Sequence, residues 1–507
     1  MSSRLDVDLL VVGGGIHGAG IARDAAGRGL RVLLVEQGDL AGATSSASSK
    51  LAHGGLRYLE LGDFRLVREA LRERQTLMRI AAHLVRPMPF FLPTAASIRP
   101  VWQLRAGLAV YDWLAGAHGL PRSRALDLSH AADGQLLQPQ YRRGFCYYDG
   151  WADDARLVVA NALDANARGA LVMTHTRCVR AKPFEDGWAV ELRLASGAAL
   201  EAIARAIVNA TGPWVDQFLA RCTPVRAPLR AHLIKGSHLV VRRRPPGGRA
   251  LLLQNDDRRV VFVVPFEGEF ALIGTTDVPL SGDPGAVAIS AEEVEYLCRA
   301  VNRYLAQALT ERDIVWTFSG VRALRVDGQK HPSRATRDYV LQLDHAQNGA
   351  PILSIYGGKL TTYRQLSEKA LLKLVRTFQS LPAGWTAQAP LPGSDLRGMD
   401  PARYAEWLCA RYPGLPAEVV IDIARRHGAL AEAVIGAARH PEDLGPQFGG
   451  GLTGCEVEYF IQREWARDAD DVLWRRTKAG LHLSEAQRQK VAQHCRATQP
   501  DTSGEAA

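Results

Sequence analysis

Residues 9–36 alternate between apolar runs and glycine in a pattern that predicts a strand, a turn, a helix and a second strand. Residues 9–12 are continuously apolar and stop at Gly13, Gly14 and Gly15. A helix from about Ile16 carries alanines on its packing side, and residues 31–36 form the next strand. A parallel pair joined by a helix is a βαβ unit. Residues 64–84 keep helical spacing with many arginines, until proline-rich RPMPFFLPTAASIRP breaks the pattern and predicts departure into a second domain. WADDARLVVANALDANARGA is another helix, with Asp153 and Asp154 favouring its N-terminus. Strand-like segments follow, and alternating runs between residues 229 and 276, such as SHLVVRR and RVVFVVPF, predict an antiparallel sheet. Beyond Pro382, helices interrupted by proline and glycine predict a C-terminal helical unit, with TQPDTSGEAA as a disordered tail.

Size and composition narrow the class. At 507 residues the chain exceeds one ordinary core, so two or three domains are expected. Hydrophobic and charged shares of 47% and 23% are those of a soluble globular protein. No apolar run approaches the roughly 20 residues needed to span a bilayer. MSSRLDVD passes straight into a strand, which predicts no secretory leader. Cys146, Cys178, Cys222, Cys298, Cys409, Cys455 and Cys495 are scattered and never form CxxC, which points to reduced cytoplasmic thiols and no metal site. The net charge of +9 calls for an anionic partner: nucleic acid, a membrane surface or a phosphate-bearing small molecule.

Chemistry enters with Gly13-x-Gly15-x-x-Gly18. Gly13 serves the tight turn, Gly15 lets backbone N–H groups approach a pyrophosphate, and Gly18 permits close helix–strand packing. Glu36, at the end of the second strand, can accept from a ribose diol and disfavours a 2′-phosphate. Two later strands run into turns at Thr211-Gly212 and Gly357-Gly358, the latter opening a helix whose N-terminus favours an anion or an electron-rich ring. Three such sites spread this widely suit an extended FAD in a discontinuous domain better than NAD.

VVGGGIHGAGIARDAAGRGL, TSSASSKLAHGGLRYLE, NATGPWVD, IKGSH, IGTTDV, SGVRAL and GGKLTTYR occur in one order along the chain. Together with ADDVLWRRTK they resemble the FAD-dependent glycerol-3-phosphate dehydrogenases, within the glycine/D-amino-acid-oxidase group of flavoproteins. The resemblance runs from about residue 6 to residue 490; Ala323 and His17 are its small departures. It implies an α/β fold: a Rossmann-type FAD-binding domain (1–85, 145–220 and 321–384), an antiparallel-sheet substrate domain (86–144 and 221–320), a C-terminal helical domain (385–495) and a tail (496–507).

The resemblance also implies roles for TSSASSKLAHGGLRYLE. Thr44, Ser45, Ser46, Ser48 and Ser49 would offer hydroxyls to phosphate and ring atoms. Lys50 and His53 would lie near the flavin's polar edge, with Gly54 and Gly55 packed close to the ring and Arg57 and Tyr58 pointing to substrate. Gly358, Lys359, Leu360 and Thr361 would complete the cofactor site. For the substrate phosphate the candidates are Arg57, Arg322 and Arg337, with Lys359 nearby, because a guanidinium fork suits phosphate. His238 is the candidate base, its alternative being a histidine simply bonded within the sheet; His53 is the second candidate. Asp256, Asp257 and Asp277 would orient groups around them.

The implied reaction is oxidation of sn-glycerol 3-phosphate to dihydroxyacetone phosphate, by hydride transfer from C2 to flavin N5, with electrons passed to a membrane quinone. Expected partners are therefore glycerol 3-phosphate, a quinone and the inner face of the cytoplasmic membrane, held peripherally, with no nucleic acid; a homodimer is left open. RPVWQLRAGLAVYDWLAG mixes Trp102, Tyr111 and Trp113 with arginine as an interfacial segment would, or as a core helix would. Arg242, Arg243 and Arg244 are a second candidate for headgroup contact. The rivals are an oxidase that uses oxygen, another amine or 2-hydroxy-acid flavoenzyme, and a basic flavin-binding protein without turnover.

Overall fold

The apolar run at residues 9–12 is the middle of a sheet covered on both faces, which is why it needs no polar alternation. It belongs to β1 (Arg4–Val12), in which Leu9, Leu10 and Val11 are fully buried. In this computed structural model the described residues are 4–95, 99–116, 120–226, 229–243, 245–257, 259–325, 339–378 and 381–499. β1 pairs in parallel with β2 (Val32–Val35) and with Ala199–Asn209. The parallel set extends to Pro351–Tyr356 beyond Ala199–Asn209 and to Leu171–Met173 beyond β2, while Val340–His345, and Gly187–Arg193 with Arg177–Phe184 beyond it, add antiparallel strands. Thus strands far apart in sequence lie side by side, with their C-terminal ends at one edge of the sheet.

The predicted helices form as α1 (Ile16–Gly27), α2 (Phe64–Ile80), α3 (Val101–Ala115) and α4 (Asp154–Ala167). α1 and α4 pack together through alanines and share one core with the sheet. α4 begins at Asp153, whose side chain accepts from the Arg156 N–H. That bond satisfies one of the amides a helix start leaves open.

A second, larger sheet orders its strands as Val278–Pro279, Ala231–Val241, Phe270–Gly274, Val260–Phe266, Ala250–Gln254, Val85–Pro93, Arg143–Ala152 and Leu51–Ala52. Ile314–Arg325 pairs with Ala231–Val241 along its length. The sheet is antiparallel except where Ala250–Gln254 meets Val85–Pro93. Residues 86–93 of the proline-rich break are therefore themselves part of a strand. Pro87, Pro89 and Pro93 are spaced by even numbers, so their missing N–H groups fall on one edge and leave the other free to pair with Arg143–Ala152. Three expected domain boundaries need correction: those at residues 86, 145 and 321 fall inside strands of this sheet, because strand pairing there does not respect a break in composition.

The C-terminal unit is helical, with Pro401–Arg411, Ala417–His427, Gly454–Arg463 and Glu485–Thr498 around its own cores. The last of these helices runs into the segment expected as a tail; residues 500–507 lie outside the described residues. Buried charge joins this unit to the rest. Arg476 donates to Asp39 at 2.7 Å, Lys478 to Asp153 at 2.5 Å, and Arg156 to Glu464, all in near-complete burial. His427 bridges onward to Glu456 at 3.0 Å, which Arg426 also holds at 2.6 Å.

Burial keeps three enclosed histidines neutral. It lowers His83 and His238 from 6.5 to about 3 and lowers His427 as well. As pH falls through 6.5 the unfolded chain takes up protons that the fold refuses, so this contribution is intact above pH 6.5 and lost below it. Denaturant titrations are expected to show unfolding free energy falling between pH 7.5 and 5.5, by about 1 kcal/mol each for His83 and His238. A flat profile over that interval would show that these imidazoles are not held neutral.

Candidate active site

The three glycine turns meet. Gly13 has φ +113°, and a Cβ there would lie 2.5 Å from the carbonyl oxygen of Ala210 in the second turn. Gly358 has φ +102°, and a Cβ there would lie 2.4 Å from the His17 ring in the first. They close the head of a cavity of about 950 Å³, at the C-terminal edge of the parallel strands and against the second sheet. That is near the upper end for a small-molecule site and fits an extended ligand. Gly13, Gly15, Thr211, Gly212, Gly358, Leu360 and Thr361 line it. Gly18 lies outside the lining and does the packing expected of it, since a Cβ would sit 1.8 Å from the Gly13 carbonyl oxygen.

Glu36 lines the cavity at the end of β2, and its carboxylate accepts from the N–H groups of Gly14 at 2.7 Å and Gly38 at 2.8 Å. It thus shapes the glycine turn as well as facing the space beside it. Burial pushes its pKa upward against those two hydrogen bonds.

The serine-rich segment divides by role. Thr44, Ser45, Ser48, Ser49, His53, Gly55 and Tyr58 line the cavity. Ser45 Oγ accepts from the Ile16 N–H at 2.9 Å, at the start of α1, and Thr44 donates to the Val321 carbonyl at 2.7 Å. Lys50 and Ser46 correct the expectation. Lys50 is 1% exposed and its ammonium is taken by Asp154 at 2.7 Å and by the Ser46 carbonyl, away from the lining. A buried ammonium is stable only with such a partner, so burial decides its direction. Gly54 also packs outward, its N–H donating to Tyr111 at 3.0 Å. The Arg57 side chain and Arg337 lie outside the described residues.

On the opposite wall, His238 from Ala231–Val241 is 3% exposed. Its Nε2 shares a 2.9 Å hydrogen bond with Ser49 Oγ, and its ring stacks on Phe318 at 4.8 Å. Nδ1 is enclosed and has no partner among the described residues. Burial first, then the charges of Lys50 and Arg322, bring its pKa down to about 3. Arg322 stands on the neighbouring strand, donating to Asp277 at 2.5 Å and to the Thr276 carbonyl at 3.1 Å. Asp277 thus orients a site residue; Asp257 instead meets Tyr296 at 2.9 Å and Asp256 meets Arg303, both at the surface. Lys359 reaches over the Tyr58 ring at 3.9 Å, its enclosed ammonium without a hydrogen-bond partner among the described residues.

The family model for FAD dependent oxidoreductases matches residues 8–364, and that for the C-terminal domain of alpha-glycerophosphate oxidase matches residues 385–500. The chain is 48% identical to the aerobic glycerol-3-phosphate dehydrogenase of Escherichia coli, covering 96% of both chains. It is 47% identical to the D-erythritol 1-phosphate dehydrogenase of Brucella abortus, covering 95% of this chain and 96% of that one. The chain belongs to the FAD-dependent glycerol-3-phosphate dehydrogenase family. A solved glycerol-3-phosphate dehydrogenase from Bacillus halodurans, complexed with FAD, shares its fold with a TM-score of 0.75 at 24% identity, over 97% of this chain and 94% of that one.

FAD is the cofactor of this oxidoreductase family, and the chain's residues fit it. A long cavity opens along a helix N-terminus, a carboxylate stands at the end of β2, and unpartnered polar atoms of Lys359, His17 and His238 stand in the wall. Reading the sequence did not find Asp39 or Arg475, which also line the cavity and pair at 2.6 Å. Arg475 lies in ADDVLWRRTK, a motif to which no role was attached, and Asp39 lies in none of the motifs. Among the described residues no group of three or more His, Cys, Asp or Glu could hold a metal ion.

Arg322→Ala is expected to raise the substrate KM at least tenfold while bound FAD, read from its absorbance after gel filtration, stays at parental occupancy. An unchanged KM would remove Arg322 from substrate recognition.

Proposed function

We propose that this chain oxidises sn-glycerol 3-phosphate to dihydroxyacetone phosphate and passes the electrons to a membrane quinone. The reading rests above all on Arg322 and Lys359, two cations in the wall of the cavity that also holds a neutral His238. Arg322 keeps only one edge of its guanidinium on Asp277 and the Thr276 carbonyl, so N–H groups remain for a phosphate. Lys359 supplies a second positive charge. The turns at Gly13–Gly15 and the start of α1 hold the pyrophosphate of FAD, and Glu36 meets its ribose.

Bound FAD supplies the acceptor for the hydride that leaves C2. His238 is the group that takes the C2 hydroxyl proton, its ring held in place by the 2.9 Å hydrogen bond between Nε2 and Ser49 Oγ. Burial first, then the charges of Lys50 and Arg322, bring the imidazole pKa to about 3, which makes it a poor base. A phosphate on Arg322 offsets that charge and raises the basicity when substrate is present. His53, whose N–H is tied to Thr361 at 3.1 Å, is the second candidate.

No helix among the described residues is long and apolar enough to cross a membrane. Surface attachment is supported instead by α3, whose Trp102 and Trp113 are 71% and 78% exposed. Eleven residues apart, they share one helix face. Arg65, Arg68, Arg72 and Arg79 are exposed on adjacent α2, as a surface meeting anionic headgroups requires. Arg242 and Arg243 are engaged by Glu269 and the Gln307 carbonyl, which weakens the second candidate; Arg244 lies outside the described residues.

A four-carbon polyol phosphate is the second reading, because identity to the erythritol-phosphate relative is 47% against 48% for the glycerol-phosphate one. Anaerobic titration of the purified holoenzyme discriminates. Glycerol 3-phosphate is expected to bleach the oxidised flavin absorbance at lower concentration than D-erythritol 1-phosphate, amino acids to leave it unchanged, and a quinone analogue to restore it faster than oxygen. Bleaching by the erythritol ester alone would transfer the assignment, and faster recovery with oxygen would make the enzyme an oxidase. Trp102→Ser combined with Trp113→Ser is expected to abolish co-sedimentation with anionic vesicles while turnover with a soluble quinone analogue stays parental. Undiminished sedimentation would exclude α3 as the membrane contact.

A further inference from the structure

The wall of the FAD cavity beside Glu36 is built by two units of the molecule. From the cofactor domain come Glu36, Gln37, Gly38 and Asp39; from the C-terminal unit comes Arg475. Arg475 and Arg476 end a short π-helical turn, Asp471–Arg476, a wide turn often met at functional sites. Their guanidinium groups converge on one carboxylate. Arg475 Nε donates to Asp39 Oδ2 at 2.6 Å, and Arg476 donates to both Asp39 oxygens at 2.7 Å. These contacts draw the Asp39 pKa downward despite its burial.

The two arginines are not equivalent. Arg476 is fully buried and also donates to the Glu464 carbonyl, which makes it a fastener between the units. Arg475 keeps 19% of its side chain exposed and borders the cavity, held by Asp39 on one side and Asp471 on the other. A guanidinium fixed between two carboxylates is pre-oriented, so presenting its remaining N–H groups to an anionic or hydroxyl-rich ligand loses little entropy. Asp39 meanwhile anchors the loop that carries Glu36, since Glu36 and Asp39 bracket Gly38, itself bonded to the Glu36 carboxylate.

We propose that Arg475 is a cofactor-site residue supplied by the C-terminal unit, and that its clamp on Asp39 makes FAD retention depend on the docking of that unit. The C-terminal unit thereby closes the Glu36 end of the FAD site and leaves the substrate end, at Arg322 and His238, to the second sheet.

The test uses full-length apoprotein reconstituted with FAD. Arg475→Met is expected to raise the FAD Kd roughly tenfold or more, read by quenching of flavin fluorescence, and to shrink the gain in melting temperature that saturating FAD confers. The KM for glycerol 3-phosphate at saturating FAD should stay within about twofold of the parent. Arg475→Lys, which keeps the charge without the two-carboxylate fork, should fall between the two, and it decides alone if the methionine variant does not fold. A parental Kd in the folded variant overturns the proposal. So does equal lowering of the apo and FAD-saturated melting temperatures, the signature of a purely structural contact.

Discussion

Two adjacent carboxylates at the start of α4 hold the parts of this molecule in register. Asp154 is fully buried and takes the Lys50 ammonium at 2.7 Å and the Ser48 hydroxyl at 2.6 Å, fixing the cavity segment. Asp153 takes Lys478 from the C-terminal unit at 2.5 Å and caps α4 through the Arg156 N–H. A helix N-terminus favours both negative charges, and each lysine would be unstable in the interior alone. Removing one partner of such a pair leaves an uncompensated buried charge, at a cost of about 3–5 kcal/mol. One helix end therefore couples the cofactor segment, the parallel sheet and the C-terminal unit.

The same principle separates structural from ligand-facing charge. Lys50, Arg156 and Arg476 are enclosed and matched by carboxylates, so they contribute cohesion, and none of them lines the cavity. Arg322 and Lys359 border the cavity with donor capacity unspent. Charges bordering a cavity with apolar walls act through a lower effective dielectric than charges at the surface, so two of them suffice to favour an anion. Neutral His238 sits between these regimes: burial first, and then the charges of Lys50 and Arg322, bring its pKa down to about 3.

Local pattern made much of this molecule legible. The apolar run into Gly13, the helix spacing after it and the carboxylate at Glu36 each act within a few residues, and the order of strand-to-glycine turns already pointed to one extended dinucleotide. The identity of the wall residues Arg322, His238 and Lys359 was likewise readable through motif resemblance, as was the division between a parallel and a largely antiparallel sheet.

Other features were settled only when distant segments met. Lys50 looked like a flavin ligand until α4 placed Asp154 beneath it, because the sign of a burial energy depends on the partner. RPMPFFLPTAASIRP reads as a boundary, yet its residues 86–93 pair on both edges, with Arg143–Ala152 and with Ala250–Gln254, and only those distant strands show it. Asp39 and Arg475 lie 436 positions apart, and no local spacing carries such a pairing. Short-range elements and the chemical types at the site follow from neighbouring residues alone; which charges are consumed by each other and which still face the cavity follows only from how distant segments pack. Desolvation and pairing are properties of what surrounds a group and not of the group itself.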